Sequence, residues 1–67
     1  MYYYLGDTDK GNKEAYDALD NALGTQKFTF DEAMVVIQNA LGVSEFDASR
    51  KVKSLIRSKT IVESEEN

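Results

Sequence analysis

The chain has no cysteine, which excludes a disulfide framework and any thiolate metal site. It has no histidine either, so the most common metal ligand and general base are missing. No apolar run approaches the roughly 20 residues that span a bilayer. The segment Met1-Tyr2-Tyr3-Tyr4-Leu5-Gly6-Asp7 has no basic start and too short an apolar stretch for a secretory signal, so a cytoplasmic protein is expected. A glycine-rich phosphate loop is absent as well. Asp7-Thr8-Asp9-Lys10-Gly11-Asn12 superficially looks like the start of a calcium loop, but the twelfth position holds Ala18 instead of the closing glutamate. Asp17 and Asp20 fall on a polar helix face, and Asp31 and Glu32 at a helix start, where each complements the helix dipole. With no nucleophile–base pair and no metal set to assemble, neither an enzyme nor a cofactor is expected.

Positive charge is also scarce, but it is gathered in one place. The 67 residues carry a net charge of −4. Residues 1–43 hold seven acids and three bases, and the last eight residues add Glu63, Glu65 and Glu66. Between them, Arg50, Lys51, Lys53, Arg57 and Lys59 outnumber Glu45 and Asp47. A partner would feel that local field, because screening removes charges more than about 8–10 Å away. With 42% hydrophobic and 30% charged residues, the composition is that of a globular domain. A chain this short buries only about 60% of its surface on folding, so a single domain is expected, with homodimerisation as a source of further burial.

Turn and cap residues divide the chain. Tyr2-Tyr3-Tyr4-Leu5 has strand propensity and is followed by a polar turn. Alternation would bury Tyr3 and expose its neighbours, or the reverse; an edge strand pairing with Thr60-Ile61-Val62 or another subunit competes with base stacking as its use. Asn12 is read as the cap of a helix over 13–23, with Ala15, Tyr16, Ala18, Leu19, Ala22 and Leu23 on the apolar side and Gly24 as a left-handed stop. A short strand is expected over 27–29. Thr29 and Glu32 then form a capping box, with Phe28 placed to staple onto Ala33. The second helix spans 30–41, with Ala33, Met34, Ile37, Ala40 and Leu41 inward, Val36 at the edge and Val35 outward.

Gly42 closes that helix, and Ser44 caps a third over 45–58, with Asp47 at the position where a capping box prefers Glu or Gln. Ala48, Val52, Leu55 and Ile56 face inward. A strand over 60–63 and a frayed tail over 64–67 complete the reading. The expected class is mainly α, within α+β: a three-helix core with a small sheet at its edge. Its expected core is Leu19, Leu23, Phe28, Ile37, Leu41, Val52, Leu55, Ile56 and Ile61.

Opposite the apolar side of the third helix, Arg50, Lys53 and Arg57 stand at i, i+3 and i+7, in a stripe about ten ångströms long. Ser49 and Lys51 flank it. Such a stripe suits phosphates, and an arginine can read guanine. It is also what a solvated face looks like, with Arg57 and Lys59 offsetting the helix dipole. Glu45 and Asp47, in the first turn, would accept from cytosine or repel phosphate. Phe46 falls beside the stripe. It is expected to fold back toward Val43 or the second helix, the other reading being an exposed anchor for a protein.

Gly42-Val43-Ser44, three residues, then Ala48-Ser49-Arg50 resembles the turn and recognition-helix start of helix-turn-helix regulators. The element order is similar to the winged-helix variant, particularly small archaeal and phage forms. The resemblance covers about residues 13–63 and departs at Gln38, four before the turn glycine, where a small residue is usual. Only one strand follows the third helix, which leaves residues 2–5 to supply a second. The resemblance implies a DNA-binding transcriptional regulator using Ser44, Ser49, Arg50, Lys53 and Arg57, with Lys51 alongside. Double-stranded DNA is then the partner, and a dimer would set two such helices about 34 Å apart. The rival expectation, motivated by the overall acidity, is a winged-helix module that binds a protein and no DNA.

Overall fold

The computed structural model describes residues 1–65. Five elements follow one another: β1 (Tyr3–Leu5), α1 (Lys13–Leu23), α2 (Phe30–Leu41), α3 (Glu45–Arg57) and β2 (Ile61–Glu63). The α+β class expected from the sequence is observed, with three helices and a two-stranded antiparallel sheet. None of the described helices is long and apolar enough to cross a membrane.

Each helix boundary has a local cause, and two differ from expectation. At α2 the reciprocal capping box forms: Glu32 N donates to Thr29 Oγ1 and Thr29 N to Glu32 Oε1. Gly42 then ends α2 in the left-handed conformation, φ 65° and ψ 34°. Ser44 Oγ accepts from Asp47 N at 3.1 Å, which starts α3. Asn12, by contrast, makes no side-chain cap on α1. Its amide is drawn instead to the far end of α3, where it donates to Thr60 Oγ1 at 3.3 Å. Gly24 also departs from expectation. Its φ of 59° is positive, but its ψ of −131° lies outside the left-handed helical well.

The third helix ends at Arg57, one residue short of expectation, through a motif the sequence disguises. Lys59 takes φ 70°, its N–H bonds Ile56 O, and the N–H of Thr60 bonds Leu55 O. This pair of hydrogen bonds is the Schellman termination, with a lysine at the position glycine usually holds.

The sheet is pinned by the pairs Tyr3↔Glu63, Tyr4↔Val62 and Leu5↔Ile61. Tyr3–Leu5 therefore does supply the strand that pairs with the C-terminal segment, as one of the two edges of the sheet. On its other side Tyr3 exchanges two hydrogen bonds with Phe28, at 2.7 and 2.9 Å. The strand expected over 27–29 is reduced to that one bridge, since only Phe28 reaches β1. Tyr3 is half-buried while Tyr2 and Tyr4 are exposed. The tail is not frayed at its start: Ser64 is buried and its N–H bonds Tyr2 O at 2.8 Å. Glu66 and Asn67, the end of that expected tail, lie outside the described residues.

Beneath the sheet, Leu19, Phe28, Ile37, Val52, Leu55 and Ile61 are fully buried. Leu23, Leu41 and Ile56, expected in the core, pack against it only half-buried. Ala33 of α2 and Ala48 of α3 have no exposed surface, so small residues carry the close approach of these helices. Gln38, at the departing position, is half-buried.

Candidate nucleic-acid interface

The turn Gly42-Val43-Ser44 fixes which side of α3 faces outward. With Ala48, Val52 and Leu55 buried, the opposite side carries Arg50, Lys53 and Arg57, all exposed. None of the three makes an ion pair or hydrogen bond within the described residues. Their charges are therefore available to a ligand. Elsewhere the contrast is clear. Lys13 on α1 bonds Asp17 Oδ2 at 2.9 Å, and that hydrogen bond, with the attraction of the same carboxylate, raises its pKa above the usual 10.5.

Phe46 corrects the sequence reading. It is not covered by Val43 or α2 but stands 69% exposed. It lies in line with the stripe, four residues before Arg50, whose guanidinium carbon sits 5.7 Å from the ring centroid. This is a cation–π distance, at which an arginine is steadied without losing its donors. The i, i+4 spacing was the available signal; it places Phe46 one turn up the same stripe. Met34, Glu45 and Ser49 line a shallow hollow together with Phe46.

The remaining residues expected at the interface are dispersed around α3. Ser49 lies on the Met34 side and is half-buried. Lys51 lies away from the line, in a hollow lined by Gly11, Asn12, Lys13, Leu41 and others at the start of α1. Ser44 is exposed, but its Oγ is engaged as the acceptor of the cap. The arrangement thus has three free cations on one line, an aromatic ring at its upper end and two acids, Glu45 and Asp47, in the first turn. Chemically it offers donors for anions along its length and an apolar surface at one tip.

Among the described residues no three or more acidic side chains gather into a metal site. Asp9, in the loop considered for calcium, turns its carboxylate on the chain itself and accepts from Gly11 N at 3.0 Å. Comparison with known protein-family models, characterised proteins and solved structures finds no match to this chain.

Proposed function

We propose that this protein is a small winged-helix-like DNA-binding regulator that sets α3 in the major groove and acts as a cytoplasmic homodimer. The observation that carries the reading is the row of unpaired Arg50, Lys53 and Arg57 on the outward side of a capped helix that follows a tight turn. A helix presented this way fits the major groove, and its cations can displace counterions from phosphates. Ser44, Ser49 and Lys51 become flanking contacts in this account. Dimerisation would double the charge applied to DNA and set the two helices one turn of the duplex apart.

Replacing Lys53 and Arg57 together with alanine tests the assignment. Both side chains are exposed, so thermal stability stays within about 0.5 kcal/mol. DNA affinity falls, and the slope of log affinity against log salt becomes shallower by about two per α3. An unchanged slope removes this helix from the interface. The competing account is a protein-binding module, favoured by the exposed Phe46. It would be supported by a partner that is retained at high salt and lost in Phe46→Ala, with no retention of DNA.

A further inference from the structure

The α3 stripe changes character along its length. Lys53 and Arg57 are cations with no partner among the described residues, suited to phosphate. The first turn holds Glu45 and Asp47, which repel phosphate, and between them the exposed ring of Phe46. If α3 enters a groove, this end cannot rest on the sugar–phosphate backbone without opposing two carboxylates. It can rest on base edges, where the C5-methyl of thymine is the apolar feature of the major groove.

From this arrangement, and resting on the DNA-binding reading above, we infer that Phe46 and Arg50 form one sequence-reading unit: the Phe46 ring packs on a thymine C5-methyl while Arg50 donates to a neighbouring guanine. The two residues are one helical turn apart, about 6 Å along the axis, which corresponds to roughly two base-pair rises. The 5.7 Å stacking distance shows how the unit is organised before DNA arrives. The ring restricts the arginine, so less side-chain freedom is lost when its planar fork meets O6 and N7 of guanine. Phe46 thus has two tasks, contact with a methyl group and positioning of Arg50. Its exposure is the cost of a side chain that is covered only on the duplex.

Duplexes selected from a random pool by the wild-type protein provide the test. Each thymine is then replaced singly by deoxyuridine, which deletes only the methyl group. A fixed thymine within about two base pairs of a fixed guanine is expected, and its replacement should weaken wild-type binding about fourfold, the worth of one buried methyl. Phe46→Ala should bind the thymine and deoxyuridine duplexes equally while keeping the wild-type salt slope. Phe46→Leu should regain the methyl discrimination and lose part of the preference for guanine. Because Phe46 is exposed, these variants fold, as circular dichroism would verify. Salt-dependent binding that ignores every thymine methyl, or selected sites without the paired thymine and guanine, would overturn the inference and leave DNA binding standing. Absence of DNA binding at low salt would overturn both.

Discussion

At the scale of single residues, Lys59 and Thr60 set how α3 hands the chain to the sheet. A lysine at positive φ carries a steric cost of about 1–2 kcal/mol that glycine avoids, partly offset by the entropy a glycine loses on folding. Lys59→Gly should therefore raise stability by about 0.5–1 kcal/mol, seen as a higher midpoint in chemical denaturation. Thr60 is fully buried; its hydroxyl accepts from Asn12, donates to Asp9 O at 3.2 Å and lies 2.9 Å from Ser58 Oγ. Thr60→Val keeps the shape and removes the hydroxyl, leaving these groups without it at a cost of about 1–3 kcal/mol. A denaturation midpoint equal to wild type would show that the hydroxyl contributes nothing. The Lys13–Asp17 pair predicts a direction with pH. A lysine whose folded pKa is raised adds stability that is complete below its unfolded pKa near 10.5 and is lost as pH rises through the folded value. Both side chains are largely exposed, so its effect on stability is small.

At the scale of elements, caps that look alike in sequence act differently. Thr29→Ala should destabilise by about 1 kcal/mol, because it removes one half of a formed capping box and strands the other. Asn12→Ala removes no cap, and its effect should couple to Thr60 in a double-mutant cycle instead. Additive effects of Asn12→Ala and Thr60→Val would contradict that contact. This contrast explains what could be read in advance. The bounds of α1 and α2 were legible because apolar periodicity and local stop signals agree there. The end of α3 was not, since its stop is a lysine in a conformation that lysine seldom adopts. Asn12 was misread because its partner lies 48 residues away, beyond any local pattern. The stripe of Arg50, Lys53 and Arg57 follows from helical period alone. The same period sets Lys51 to one side of the stripe; that this side meets the start of α1 depends on how the helices pack.

At the scale of the whole molecule, one close approach ties the loop after β1 to the exit of α3. A Cβ on Gly6 would sit 2.9 Å from Lys59 O and 3.3 Å from Thr60 O, both backbone atoms. Gly6→Ala should therefore push the sheet from the helices, costing about 1–3 kcal/mol. A thermal midpoint equal to wild type would show that the backbone gives way without strain. The same scale governs function, because the net charge of −4 opposes approach to DNA while the α3 stripe favours it. The central claim is that the local field prevails. Titration of a mixed-sequence duplex at about 50 mM salt, repeated at about 200 mM, tests it most directly. Two phosphate contacts from one α3, those of Lys53 and Arg57, should cost roughly 12-fold in affinity across that range, and four contacts from a dimer roughly 150-fold. Micromolar binding at low salt with such a decline is the expected result. No binding at 50 mM, where attraction between the stripe and phosphate is least screened, would contradict the DNA-binding account.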